Sequence, residues 1–154
     1  MGTSLRGDIV TAIETALNGI SVTGGYNLDV QTVSTRLRDP DGLTADEFPA
    51  LFVVDGDENK SDADVNELRC RIQIIISGYV KAPDDSYDIQ ENLRKLLADV
   101  EKAICSDRYL GGKVVNTKPF NIKTDHGVLM PYGIFDFTFE VEYLQLYGDV
   151  TAND

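Results

Sequence analysis

The sequence predicts an α+β domain, in which two amphipathic helices pack on one face of a mostly antiparallel sheet. Two segments carry apolar residues every three or four positions, which is the spacing of a helix with one buried face. Several other segments alternate apolar and polar residues, which is the pattern of strands with one buried face. Elements of these two kinds bury their apolar surfaces best against one another, so a two-layer arrangement follows.

The composition agrees with one globular domain and excludes several classes of protein. The chain has 154 residues, 42% of them hydrophobic, so it has the size of an average domain and is too apolar for disorder. Its 14 basic and 26 acidic residues give a net charge of −12, which disfavours nonspecific binding of nucleic acid or of an anionic membrane. Neither an apolar run of about 18 residues nor an N-terminal signal pattern is present, so we expect a soluble protein made inside the cell.

The first predicted element is an amphipathic helix near the N-terminus. Thr3 or Ser4 is expected to cap its first free N–H groups, and Gly19 after Asn18 is expected to end it in a left-handed conformation. The apolar stripe consists of Leu5, Ile9, Ala12, Ile13, Ala16 and Leu17.

Two strands are predicted next. Residues 30–37 alternate apolar and polar side chains, which predicts a half-buried strand, and the sequence Asp-Pro-Asp-Gly at residues 39–42 predicts a turn. Residues 50–54 are continuously apolar, which predicts a strand in the interior of the sheet with both faces buried.

A polar, acidic segment and a long strand follow. Residues 55–67 show no apolar periodicity, so we expect an exposed, mobile loop there. Residues 68–81 alternate clearly, with the side chains of Arg69, Arg71 and Gln73 on the face away from the core.

The second half of the chain is predicted to contain one helix and two strands. Asp84, Asp85, Ser86 and Asp88 favour a helix start, and apolar residues at helical spacing continue it to about Cys105. Residues 113–122 predict a strand, and the proline at position 119 marks it as an edge strand or a bulge. Residues 135–143 predict a long half-buried strand. We expect one domain over residues 1–147 and a disordered tail over residues 148–154.

The acidic segment contains a partial calcium-loop pattern. Oxygen-bearing side chains recur at every second position from residue 55 to residue 61, as the start of such a loop requires. Lys60 stands where the loop needs glycine, and Asn66 stands where the bidentate glutamate belongs. A solvated acidic segment is therefore predicted, no metal site is assigned, and a calcium-dependent binding module is kept as an alternative.

The sequence contains few residues that could form a catalytic site. His126 follows Asp125, but no second histidine and no nucleophile accompany it, so a histidine in a turn is predicted. Cys70 and Cys105 lie on different predicted elements and are interpreted as unpaired buried thiols. No catalytic residue and no cofactor is assigned, and an enzyme using Asp125 and His126 is the weakest alternative.

A resemblance to a known family is carried by the order of several short segments. Residues 48–51 (FPAL) lead into a strand and an acidic segment, and residues 78–82 (GYVKA) lead into an acid-rich helix start. Residues 96–104 (LLADVEKAI), 107–112, 124–127 and 131–133 follow, and residues 139–143 (FEVEY) close the series. This order, over residues 4–147, resembles the tail terminator proteins of long-tailed bacteriophages.

The resemblance implies a structural protein of the virion with no catalytic residues. Such proteins form a ring of six subunits that caps the head-proximal end of the tail tube, ends its polymerisation and joins the tail to the head. The implied partners are further copies of the chain, the tail tube protein and a head-tail connector or neck protein, without a membrane. Phage DNA would pass through the lumen without specific binding, and assembly would take place in the cytoplasm of the bacterial host. Another neck or head-tail completion ring protein is the nearest alternative.

The acidic segment and the outward face of the following strand are the predicted contact surface for neighbouring subunits or for the tube. We expect charge reversal at Arg69 and Arg71 to leave the monomer folded and to abolish capping. The predicted contact residues are Asp55, Asp57, Glu58, Lys60, Asp62, Arg69, Arg71 and Gln73.

Overall fold

Two helices lie against one face of a five-stranded sheet in the computed structural model, which describes residues 4–82, 88–125 and 131–149. The predicted α+β class and the mostly antiparallel sheet are confirmed. The helices and strands are α1 (Leu5–Asn18), β1 (Thr32–Ser34), β2 (Ala50–Asp64), β3 (Glu67–Lys81), α2 (Ile89–Cys105), β4 (Asn116–Thr124) and β5 (Tyr132–Leu146).

The strands follow the order β1-β2-β3-β5-β4 across the sheet. β1 runs parallel to β2, and every other neighbouring pair is antiparallel. β3 is the central strand and pairs with β5 along its whole length, from Glu67 opposite Leu146 to Lys81 opposite Tyr132. The interior position predicted for residues 50–54 is confirmed, because the first four residues of β2 are buried.

The main core lies between the helices and the sheet. Gly78 of β3 allows the Phe135 ring to approach, because a Cβ atom at position 78 would lie 2.2 Å from that ring. The helices and sheet contribute Ile9, Ile13, Leu17, Leu93, Leu96, Val100, Ile72, Ile74, Ile76, Phe135, Phe137 and Phe139.

A second, smaller apolar cluster covers one end of the opposite sheet face. It consists of Leu43, Ala50, Phe52 and Tyr79. In the alternation of residues 68–81, Tyr79 shares the face of Arg69, Arg71 and Gln73, which is predicted to point away from the core, but the segment before β2 folds over this end and buries Tyr79. The open face is therefore confined to the other end of the sheet.

Side-chain caps begin both helices. The Ser4 hydroxyl accepts a hydrogen bond from the Gly7 N–H at 2.9 Å, and the Asp88 carboxylate accepts one from the Glu91 N–H at 3.0 Å. The predicted left-handed stop of α1 is wrong, because Gly19 has a φ of −83°. The other proposed caps, at residues 3 and 84–86, lie outside the described residues.

The buried carboxylate of Asp99 attaches the connection after α1 to α2. It accepts hydrogen bonds from the backbone N–H of Asn27 at 2.9 and 3.1 Å and of Leu28 at 2.9 Å. Only 2% of Asp99 is exposed, so these donors replace the water that the carboxylate loses on folding.

Two predicted strands have different bounds from those expected. The strand expected over residues 30–37 is reduced to β1, because the chain turns away into two short 3₁₀ segments, Pro40–Gly42 and Ala45–Glu47. Thr44 and Glu47 satisfy the backbone of the second segment locally through a capping box. β4 starts at Asn116 rather than 113, and its predicted edge position and bulge are confirmed by a register shift at Pro119.

The prediction of a mobile loop over residues 55–67 is wrong. β2 continues to Asp64, β3 begins at Glu67, and only residues 65 and 66 form the turn of a long hairpin. The side chains beyond residue 58 in β2 are exposed, so the sequence carries no burial pattern there. Backbone hydrogen bonds to β3 form the strand, and hydropathy does not report them.

Among the described residues, no helix is long and apolar enough to cross a membrane.

Candidate assembly surface

The predicted contact residues lie on the outer half of the β2–β3 hairpin, but on two different faces of the sheet. Residues directly opposite each other on neighbouring strands point to the same face. Glu58 lies opposite the buried Ile72, so its side chain points to the helix side. Arg71 lies opposite Asn59 and points to the open face. The expected single surface is therefore two surfaces separated by the sheet.

On the helix side, polar side chains of β2 reach across β3 to β5. The Tyr143 hydroxyl donates a hydrogen bond to the Glu58 carboxylate, and the Lys60 ammonium donates one to Gln145 Oε1 at 2.6 Å. Near the end of the hairpin, the Tyr147 hydroxyl donates to Asp62. Together with the backbone pairing to β3, these three side-chain contacts attach the outer part of β2 to the rest of the sheet.

Tyr143 is the most strongly perturbed group of this surface. Burial, together with the hydrogen bond to Glu58, raises the pKa of its phenol well above its ordinary value. The hydrogen bond to Asp62 and partial loss of water raise the pKa of Tyr147 in the same direction. Both phenols remain neutral at physiological pH and act as donors to carboxylates.

Arg6 at the start of α1 binds the middle of β2. Its guanidinium lies 3.4 Å from the Asp55 carboxylate and 3.8 Å from the Glu58 carboxylate, and it donates to the Gly56 carbonyl at 3.5 Å. Gly56 and Asp57 form a bulge between the paired residues 55 and 58. Asp57 itself is exposed.

The open face carries cross-strand pairs of opposite charge. Arg69 and Arg71 of β3 bind Glu142 of β5 at 3.2 and 2.9 Å. Gln73 lies opposite Glu140, whose carboxylate is 3.6 Å from the Lys118 ammonium of β4. The two arginines are half-exposed, so each pair contributes little to stability and the face remains accessible to a partner.

Sequence reasoning missed the residues of β5 that complete both faces. Alternation predicted which side chains of β5 share a face, but it does not reveal that β5 is the neighbour of β3. Gln145 and Tyr147 lie beyond the predicted strand, and Tyr147 follows directly after the end of β5. The missed partners are Glu140, Glu142, Tyr143, Gln145 and Tyr147.

A second missed feature is the exposed apolar surface of the edge strand β4. Its six residues from 118 to 123 are all exposed, and two of them are large and apolar, with Phe120 57% and Ile122 44% exposed. Pro119 signalled an edge in the sequence, but nothing in the alternation indicated that apolar side chains of this strand would remain uncovered.

The calcium-loop pattern does not fold as a loop. Asp55 lies opposite Ile74 on the helix side, whereas Asn59 and Ser61 lie opposite Arg71 and Arg69 on the open face. The oxygen atoms thus point to both faces of a strand. Within the described residues, no cluster of three or more potential metal-ligating side chains occurs.

The remaining candidates are two thiols and one histidine. Cys70 is buried, Cys105 is partly buried, and both are free thiols. Burial, followed by the nearby carboxylate of Glu101, raises the pKa of the Cys105 thiol. His126 lies outside the described residues.

The chain is similar in sequence to a known protein family and in structure to a chain of a solved virion. The profile of the family described as "Bacteriophage Tail Tube Terminator Protein" matches residues 1–148. A chain in the solved structure "Virion of native gene transfer agent (GTA) particle" is 13% identical, with a TM-score of 0.48 over 92% of the present chain and 98% of that chain. No sequence among the curated proteins matches.

Proposed function

The chain belongs to the bacteriophage tail tube terminator proteins, which are structural components of the phage tail and not enzymes, and we propose that it forms a ring of six subunits that caps the head-proximal end of the tail tube. In this position it ends polymerisation of the tube and offers a surface to the neck of the head. Its partners are then further copies of itself, the tail tube protein and a connector or neck protein.

The match to the family over residues 1–148 carries this proposal, because it includes every helix and strand that the structure describes. The sheet supports it as well. A ring requires two different surfaces on each subunit, one for each neighbour. The sheet has unequal outer strands, β1 on one side and β4 on the other.

The charge of the chain supports a place around a DNA channel. A net charge of −12 per subunit repels phosphate groups, and this repulsion adds up over several copies in a ring. DNA would therefore pass through the lumen without being held.

Tail assembly with and without the protein tests the proposal. Tubes polymerised in a host that lacks the gene should be longer than normal and of uneven length, and purified protein added during polymerisation should restore a sharp length. Tubes of normal length that fail to join heads would overturn the capping role and indicate a neck or head-tail completion protein instead.

The mass and shape of the purified protein form a second, independent test. Light scattering over a range of concentrations and negative-stain images should show rings, either free or at the ends of added tubes. A monomer that ignores tail tube protein would contradict the proposal.

A further inference from the structure

The sheet has two outer edges at which the described residues leave strand backbone unpaired. Among the described strands β4 pairs only with β5, so none of them covers the outer side of its exposed residues 118–123. β1 covers only the first three residues of β2, Ala50 to Phe52. The outer side of β2 is therefore also open beyond them, and Arg6 occupies the carbonyl of Gly56. Residues 57–64 remain as the free stretch of β2.

The β4 edge is basic and apolar. Its sequence contains Lys118 and Lys123 and no acidic residue, and the Lys118 side chain remains 56% exposed although its ammonium lies 3.6 Å from the Glu140 carboxylate. The exposed side chains of Phe120 and Ile122 lie between the two lysines. Natural proteins protect an open edge with charges, proline or a bulge, and β4 has all three, but protection alone does not account for two large apolar side chains left in water.

The free edge of β2 is acidic and matches β4 in length. Residues 57–64 contain the exposed carboxylates of Asp57, Asp62 and Asp64 and one lysine, while the Glu58 carboxylate is taken up by Tyr143 and Arg6. The lysine, at position 60, is already bound by Gln145. Eight residues of strand extend about 27 Å and the nine of β4 about 30 Å. The two edges are thus complementary in charge and similar in length.

The strand directions also fit. β2 is antiparallel to β3, β3 to β5 and β5 to β4, so β4 runs opposite to β2 within one subunit. When copies stand side by side with the same orientation about a ring axis, β4 of one copy meets β2 of the next in the antiparallel sense. Antiparallel pairing is the slightly more stable form.

We propose that neighbouring subunits join by addition of β4 of one copy to residues 57–64 of β2 in the next copy, with the lysines of β4 against the carboxylates of β2. This inference rests on the ring of the proposed function and names its contact. The pairing is heterologous, because two different edges meet, so it repeats around an axis until the ring closes. It also removes Phe120 and Ile122 from water.

Charge reversal on each edge tests the contact. The β4 variant carries Lys118→Glu and Lys123→Glu, and the β2 variant carries Asp57→Lys and Asp64→Lys, two exposed carboxylates that none of the tyrosines binds. Each variant alone should fail to form rings, in solution and on tube ends, in light scattering and negative-stain images. An equimolar mixture of the two should form rings again, because each reversed edge then meets an opposite charge on the other variant.

Arg94→Glu with Lys95→Glu on α2 is the control matched to the β4 variant, because it also replaces two cations with two carboxylates but lies away from both edges. The β2 variant changes the net charge in the opposite direction, and the equimolar mixture serves as its control. Circular dichroism establishes that each variant is folded, and if one variant is not, the other still tests its edge. If each reversal variant forms rings by itself, the proposed contact is wrong, although the proposal that the protein forms a ring still stands. Reversal variants that form rings but no longer cap tubes would show that β4 binds tube protein, which also overturns it. A wild-type protein that forms rings neither in solution nor on tube ends would instead contradict the proposed function.

Discussion

At the scale of single residues, the Asp99 carboxylate is the polar group on which the connection after α1 depends. Replacement by asparagine removes one of the two acceptor oxygens that the backbone N–H groups of Asn27 and Leu28 use. We expect Asp99→Asn to lower the free energy of unfolding by about 1–3 kcal/mol, because a buried donor loses its partner. Urea denaturation measures this loss. Glu101→Gln, an exposed position on the same helix, is the control, and an equal loss in both variants would contradict the role of Asp99.

Tyr143 predicts a loss of stability at alkaline pH. Burial, followed by the bond to Glu58, raises the pKa of its phenol in the folded state above the ordinary value near 10. The phenol therefore contributes stability that is complete below pH 10 and is lost as the pH rises through the folded-state pKa. The free energy of unfolding of wild type should fall between about pH 10 and pH 12 more steeply than that of Tyr143→Phe. Tyr109→Phe, at a half-exposed tyrosine, should follow wild type, and identical curves for all three proteins would refute the assignment.

At the scale of elements, the packing of β3 on β5 depends on the absence of a side chain at Gly78. We expect Gly78→Ala to displace the Phe135 ring and to lower the free energy of unfolding by about 1–3 kcal/mol. For a chain of this size, each kcal/mol corresponds to a drop of about 2–4 °C in Tm, which calorimetry resolves. Gly42→Ala is the control, because no atom lies within 4 Å of the added methyl group. A Tm for Gly78→Ala equal to that of the control would contradict this account.

Elements with a buried face were predictable from the sequence, and elements held only by backbone pairing were not. The stripes of α1 and α2 and the alternation in β3 and β5 report burial directly, so their approximate bounds are confirmed. The outer half of β2 is exposed on both faces, and the backbone hydrogen bonds that hold it to β3 cannot be recognised from the hydropathy of its residues. For the same reason the contacts of Glu58 and Arg71 with β5 could not be predicted, since they depend on strand order.

At the scale of the whole molecule, the open face predicts a contact in the assembled tail. Arg69→Glu with Arg71→Glu should leave the protein folded and abolish capping, measured as tail length and infectivity. The two new carboxylates would lie beside Glu142, so a triple variant with Glu142→Lys restores the local attraction while the face keeps its altered charge. Loss of capping in both folded variants supports a contact of this face with a partner. Normal capping by the double variant contradicts it.

The central position of β3 has a consequence for the kinetics of folding and synthesis. The β2–β3 hairpin closes through a two-residue turn, so its contacts are local and can form within microseconds. The pairing of β3 with β5 brings together residues that are distant in the chain, such as Arg69 and Glu142, which are 73 positions apart, and such a high contact order slows folding. β4 has no neighbour in the sheet until β5, which follows it in the chain, has left the ribosome. The β4 edge of the sheet is therefore completed last, and a chain that is still being synthesised cannot use this edge to join a growing assembly.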